Sequence, residues 1–365
     1  MKIGFYCFDN AGGDAMSLLV GAAKAARHDT ALFIKQERGL AQDSNMVGLD
    51  AMITGLSSFE PEQELAFAEI CREHNIPWYV FEDVPGACLN PKAKDWAPKA
   101  KLVFLALPSG ADDARKFGYP GSVYLGPPPQ WRVEYETLMA AKAENWRARM
   151  RKVVGGGLAM FGLDQNDKVV GLIGSKDPEE NNRVISVVVS AMRGMDNVIL
   201  AFGQHPGEKP NPDKPGDQER FERAFAERSK MLESVWTGVT NDTSVWKGSR
   251  IAGAADVMVY ASATNISIAG AYARVPGIYL DDEGVRARMR AQSGQEKWFV
   301  AELGGAFKVS GLLSLKVRLN MLINDPLTQQ DLHHFQEQSF PLPDDWHTER
   351  KIIRFVEQTF RSSPS

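Results

Sequence analysis

Asn197-Val198-Ile199-Leu200-Ala201-Phe202-Gly203 runs directly into Gln204-His205-Pro206-Gly207-Glu208-Lys209-Pro210. The first stretch is apolar at consecutive positions rather than alternating, so both of its faces need cover. A strand of that kind belongs inside a parallel sheet with helices on both sides. Pro206 lacks a backbone N–H and Gly207 frees the backbone, so the strand ends in a rigid turn. Loops after the C-terminal ends of parallel strands are where such folds carry ligands. His205 therefore stands at a ligand-bearing position with no evident core role. As a neutral N–H donor or an imidazolium it can stabilise a leaving phosphate.

Reading outward from this turn, the same grammar repeats. Val169–Gly174, Ser234–Val239, Val257–Ala261 and Gly277–Leu280 read as companion strands. Helical patterns at Glu179–Met192, Gln218–Leu232, Ser244–Ala254 and Asn265–Ala273 fall between them, and a further α/β stretch follows at Phe299–Val309 and Leu312–Ile323. The first part of the chain has its own set: Lys2–Asp9, Thr30–Lys35, Ala51–Leu56, Trp78–Asp83, Leu102–Leu107 and Ser122–Leu125, with a clear helix at Pro61–Asn75. The expected fold is α/β, two Rossmann-like doubly wound domains facing a cleft. Gly126-Pro127-Pro128-Pro129 interrupts the alternation, and Gly155-Gly156-Gly157 follows a polar helical stretch from Val133 to Arg151. The domains are thus expected at 1–130 and 165–344, with 131–164 as linker. Trp346–Phe360 places Ile352, Ile353, Val356 and Phe360 on one face, so 345–365 is expected to form a helix that packs back on the first domain.

Bulk properties narrow the class. At 365 residues the chain exceeds what one core usually supports. With 44% apolar and 24% charged residues it has the composition of an ordinary globular protein, and a net charge of −4 gives no footprint for nucleic acid. No apolar run approaches the ~20 residues that span a bilayer. Cys7, Cys71 and Cys88 form no metal or disulfide pattern, which suits a reducing cytoplasm.

The strand-end loops supply the candidate residues. Gly12, Gly13 and Asp14 follow the first strand, where the glycines allow a ligand close to the backbone. Glu82 and Asp83 follow the fourth; Asp83, or Asp14, is the candidate base, and Glu82 a contact for sugar or acceptor. In the second half, Gly174, Ser175 and Lys176 precede a helix start and can meet a phosphate. Val239 and Thr240 can meet a base edge. Ser262, Thr264 and Asn265 open a helix and offer hydroxyls with free N–H groups. Asp281 can accept from sugar hydroxyls; no third ligand joins it, so no metal is expected. His28, His74, His333, His334 and His347 lie in polar stretches and read as surface residues.

With these loops in order, the second half resembles the C-terminal domain of GT-B glycosyltransferases. The matching order is Gly174-Ser175, His205-Pro206, then Ala254-Ala255-Asp256-Val257-Met258-Val259, Ser262-Ala263-Thr264 and Val275-Pro276-Gly277-Ile278-Tyr279-Leu280. Bacterial sialyltransferases and polyol-phosphate transferases pair a His-Pro with a Ser/Thr motif. That resemblance implies that His205 contacts the donor phosphate or leaving group, while Ser262 and Thr264 hold the phosphate. It departs in reading Ser-Ala-Thr, and in Glu82-Asp83-Val84-Pro85-Gly86, which only approximates the acidic motif. Non-hydrolysing UDP-N-acetylglucosamine 2-epimerases share the fold and the His-Pro. Their Gly-Thr-Arg-Pro-Glu loop is replaced here by Asn10-Ala11-Gly12-Gly13-Asp14, and their Thr-Glu-Arg-Pro-Glu segment by Asp281-Asp282-Glu283-Gly284-Val285-Arg286.

The expectation is a metal-independent glycosyltransferase, cytoplasmic or peripheral to the inner membrane. It moves a sugar from a UDP- or CMP-linked donor to a saccharide or polyol acceptor, with no cofactor. A nucleotide-sugar epimerase or hydrolase, and an inactive binding protein of the same fold, are the alternatives.

Overall fold

A computed structural model of the chain describes all residues except 9, 35–45, 47, 57–60, 145–150, 155–156, 163–166, 206–207, 212–214, 234–247, 294–295 and 363–365. It divides into two compact units. The first is Met1–Val133 with Arg288–Glu296 and Pro343–Ser365; the second is Glu134–Ala287 with Lys297–Leu342.

The first unit is built on a six-stranded parallel sheet of order β2-β1-β3-β4-β5-β6. Its strands are β1 (Lys2–Cys7), β2 (Asp29–Ile34), β3 (Ala51–Thr54), β4 (Trp78–Phe81), β5 (Leu102–Phe104) and β6 (Ser122–Val123). Alternate residues of each strand feed opposite faces, as a two-residue period requires. Ile3, Phe5, Ile53, Tyr79, Phe81 and Phe104 pack on one side with Met16, Leu19 and Val20 of α1 (Asn10–Ala25). Tyr6, Met52, Trp78, Val80 and Val103 pack on the other with Phe67 and Cys71 of α2 (Glu62–Glu73). Burial pushes the Cys71 thiol up to about 12, so it is inert. All three cysteines are buried and unpaired with one another. Helix α3 (Ala111–Phe117) precedes β6, and α4 (Pro129–Ala143) starts on a proline, the residue best tolerated there.

The boundary between the units, Val133 to Glu134, falls inside α4 and within the expected linker of 131–164. Residues around the triple glycine form an antiparallel pair, β7 (Arg151–Val154) with β8 (Gly157–Gly162).

The second unit holds a five-stranded parallel sheet, β10-β9-β11-β12-β13. Here β9 is Lys168–Ile173, β10 Val198–Gly203, β11 Val257–Tyr260, β12 Gly277–Leu280 and β13 Phe307–Val309. All six residues of β10 are buried, which is why its sequence is apolar without alternation. The helices are α5 (Pro178–Met192), α6 (Asp217–Glu233), α7 (Gly248–Ala254), α8 (Asn265–Tyr272), α9 (Glu283–Ser293), α10 (Phe299–Glu302), α11 (Leu312–Asn324) and α12 (Pro326–Ser339). The expected strand Ser234–Val239 lies outside the described residues. The last helix, α13 (Thr348–Arg361), buries Ile352, Ile353 and Val356 in the first unit's core, and Phe355 meets the Phe104 ring edge-on. Among the described residues no helix is long and apolar enough to cross a membrane.

Candidate functional site

Because every strand of the second sheet is parallel, the loops after β9, β10, β11 and β12 leave from one end. The first two are fastened where their strands end, by Gly174 N–H donating to the Gly203 carbonyl at 2.8 Å. A Cβ at 174 would sit 2.9 Å from the Phe202 ring and force it to shift.

The loop after β9 is rigid. Asn181 of α5 accepts from Ser175 N–H at 2.6 Å and donates to the Ser175 carbonyl at 3.0 Å. Asp177 caps α5, accepting from the N–H groups of Glu179 and Glu180. Arg220 balances Asp177 and Glu179. The start of α5 thus carries a carboxylate of its own on its positive end, as the Asp177-Pro178 sequence leads one to expect. Ser175 Oγ is engaged inside its own loop, accepting from Asp177 N–H and donating to the Asp177 carbonyl. Lys176 remains exposed at the loop tip.

The loop after β10 carries His205, which is partly buried. Burial, and then the charge of Lys176, hold its imidazole below the ordinary value. The ring is therefore mainly neutral at pH 7. Its turn is anchored from behind: Glu208 N–H donates to the His205 carbonyl at 2.9 Å, and the Glu208 carboxylate forms a buried ion pair with Arg228 of α6. Arg228 also donates to Asn182 Oδ1 at 3.1 Å and to the Pro178 carbonyl at 3.3 Å, and lies over the Phe202 ring. One guanidinium thus ties the His205 turn to the start of α5. Pro206 and Gly207 lie outside the described residues.

After β11, Thr264 caps α8, its Oγ1 accepting from Ile266 N–H at 3.3 Å. Its carbonyl accepts from Ser267 Oγ, which in turn accepts from the Trp298 indole. Ser262 and Asn265 are partly exposed beside this cap. No acidic residue stands in the first turn of α8, in contrast to α5, so its positive end is unopposed by its own residues. Lys176, His205, Ser262, Thr264 and Asn265 are thus set at the same end of one sheet. Val239 and Thr240 lie outside the described residues.

Asp281 departs from expectation. Its side chain is largely buried and engaged by Arg286 at 3.3 Å and Lys308 at 3.2 Å, so it braces the β12–β13 edge. Its neighbour Asp282 pairs with Arg183 of α5.

In the first unit, Gly12, Gly13 and Asp14 do not form a loop. They lie within α1, which starts at Asn10. The Gly13 carbonyl accepts from Ser17 Oγ at 2.9 Å and Asp14 is exposed. Glu82 is buried, not poised for a sugar: it accepts from Gly86 N–H at 2.6 Å, Ala106 N–H at 2.8 Å and Cys88 Sγ at 3.2 Å. Burial raises its carboxyl above the usual carboxylate range, against the lowering effect of those donors. Asp83 sits at the same strand end, and its carbonyl accepts from Gln130. Among the described residues no group of three His, Cys, Asp or Glu is placed to hold a metal ion.

Two histidines expected on the surface are engaged. The His28 side chain is only 7% exposed, with Nε2 3.9 Å from Glu357. His347 stands between Arg132 and Glu349, its Nδ1 3.0 Å from the carboxylate. Arg228, Glu208, Asn181 and Asn182 are the residues that sequence reasoning missed. A signal existed for Arg228: it falls on the stripe Phe221, Ala224, Phe225, Leu232 that turns inward on a helix, and an inward arginine needs a buried acid.

No protein-family profile matches the chain, and no curated protein matches it in sequence. Solved structures do match over its whole length. Staphylococcus aureus MnaA, solved with UDP, aligns with a TM-score of 0.62 at 13% identity, covering 100% of this chain and 99% of that one. A Listeria monocytogenes protein assigned as a UDP-N-acetylglucosamine 2-epimerase aligns at 0.62 and 10%, covering 100% and 97%. The calicheamicin glycosyltransferase CalG4 aligns at 0.52 and 12%, covering 100% and 99%. The chain has the GT-B fold.

Proposed function

We propose that this chain is a sugar-nucleotide-dependent glycosyltransferase whose second unit binds the donor. The observation that carries the reading is the gathering of Lys176, His205 and the hydroxyl-rich start of α8 at one end of a parallel sheet. In this reading the diphosphate lies across the start of α8. It accepts from Lys176 Nζ, from the His205 ring N–H and from the Ser262 and Thr264 hydroxyls, beside the positive end of α8. These donors act most strongly as charge builds on the departing oxygen, when the bond from phosphate to the anomeric carbon breaks. The acceptor hydroxyl forms the new bond and gives its proton to a carboxylate, for which Asp83 is the proposed base. UDP bound to MnaA supports UDP as the first donor nucleotide to try.

A nucleotide-sugar 2-epimerase is the second reading, favoured by the higher TM-score of the Listeria protein than of CalG4. Thermal shift with UDP, CMP and their sugars tests donor binding, since a ligand specific to the folded state raises the melting temperature. UDP or a UDP-sugar is expected to raise it in the native chain and to lose that effect in His205→Ala. No shift with any nucleotide or nucleotide sugar would overturn both readings. Product analysis without acceptor then separates them: an epimerase turns over alone, a transferase does not.

A further inference from the structure

Three consecutive residues of α5, Asn181, Asn182 and Arg183, each reach toward a different strand-end loop of the second sheet. Successive helical residues point about 100° apart, so one short stretch can serve three directions. Asn181 holds the loop after β9 through its two hydrogen bonds to Ser175. Asn182 serves the loop after β10. Its Oδ1 accepts from Arg228 Nε at 3.1 Å, and Arg228 pairs with Glu208 behind the His205 turn. Its Nδ2 donates to the Ala224 carbonyl of α6 at 2.8 Å, which fixes the amide in one orientation. Asn181 and Asn182 are 3% and 8% exposed. Asparagine is a poor helix former, and its burial is costly unless its polar groups are bonded, so neither helix formation nor packing accounts for two in a row.

Arg183 carries the connection to a third loop, the one after β12. Its Nη1 donates to Asp282 Oδ2 at 2.5 Å and its Nη2 to Asp282 Oδ1 at 3.0 Å, a bidentate fork. Nε and Nη2 also donate to Glu180 at 2.8 and 2.7 Å, so its own helix fixes the guanidinium from behind. Asp282 in turn accepts from Val285 N–H at 2.9 Å at the start of α9. The guanidinium lies against Gly284, where a Cβ would come within 3.1 Å of its Cζ and Nη2. The Glu180 and Asp282 side chains are only 17% and 18% exposed, which separates this clamp from solvent-exposed ion pairs of little consequence.

We propose that Arg183 is a positioning residue for ligand binding at this end of the sheet. It fixes the loop after β12 to the same stretch of α5 that fixes the loops carrying Lys176 and His205. The three loops then form one preformed surface, and binding need not order the third. The inference rests on the reading that this end of the sheet binds the donor nucleotide.

UDP affinity of the full chain tests it, measured by calorimetry at a temperature where circular dichroism shows each variant folded. Arg183→Met removes the fork, and Arg183→Lys keeps the charge but offers a point cation in place of a planar fork. Both should weaken UDP binding about tenfold, with the loss in the binding entropy, because the ligand must then order the loop. Gly284→Ala leaves every hydrogen-bonding group of the clamp in place and only crowds the guanidinium. It should weaken UDP binding in the native background and have no effect in the Arg183→Met background. A merely structural role would lower the melting temperature of these variants and leave the affinity of the folded protein unchanged. Affinity within about twofold of native for both Arg183 variants overturns the inference and leaves the donor reading standing. So does an equal effect of Gly284→Ala in both backgrounds. A native chain that binds no nucleotide or nucleotide sugar overturns the donor reading, and the inference with it.

Discussion

Replacing Arg228 by methionine tests the physical account of the His205 turn most directly. The Arg228 and Glu208 side chains are 4% and 0% exposed, so their charges face each other away from solvent. Methionine preserves much of the aliphatic stem and removes the charge. Glu208 is then left buried without its cation, a change that costs about 3–5 kcal/mol in comparable sites. The hydrogen bonds to Asn182 and the Pro178 carbonyl also go, as does the stacking on Phe202, though part of each overlaps the first loss. Against a total stability of roughly 5–15 kcal/mol for a domain, the second unit should become marginal. Urea denaturation followed by circular dichroism measures it. A companion variant, Arg228→Met with Glu208→Leu, removes both charges and should recover much of the loss, because a buried pair is often close to neutral against an apolar replacement. The cycle should show coupling of at least about 1 kcal/mol. A single variant that loses less than about 1 kcal/mol, with additive behaviour in the cycle, would refute the reasoning.

Further outcomes follow from the same geometry. Burial and Lys176 depress the His205 pKa, and burial with Lys142 and Arg274 depresses that of His333. Both rings bind protons more readily when unfolded, so the stability they contribute is present above about pH 6.5 and is lost as pH falls through their lowered folded values. His205→Gln and His333→Gln should each flatten the fall in melting temperature between neutral and mildly acidic pH. Conversely, a bound diphosphate favours the charged ring, so UDP affinity should strengthen as pH drops in native protein and not in His205→Gln. Thr264→Ala should cost about 1 kcal/mol through loss of the α8 cap, with Thr264→Ser close to native. Glu82→Ala leaves the N–H groups of Gly86 and Ala106 without their acceptor and should destabilise by about 1–3 kcal/mol, read as a lower denaturation midpoint.

What was legible in the sequence, and what was not, divides by the range of the interactions involved. β10 announced itself because its burial on both faces is written in consecutive residues, and α13 because Ile352, Ile353 and Val356 recur at helical spacing. The Gly12-Gly13 segment misled because glycine marks loops on average. Here α1 begins immediately at Asn10, and helical backbone tolerates the two glycines at roughly 1 kcal/mol each. The places of His205 and Thr264 could be named because a strand end and a helix start are local events. Their support could not be read so simply: Glu208 and Arg228 are twenty positions apart, and only the folded packing of α6 against the β10 loop brings them together. Asp281 and Glu82 fail as sugar contacts for the same reason, since the cations and N–H groups that engage them come from elsewhere in the chain. A carboxylate at a strand end is available to a ligand only if its own fold has not already claimed it. Around Lys176, His205, Ser262 and Thr264 the neighbouring acids Asp177 and Glu208 act mainly to keep the loops in place.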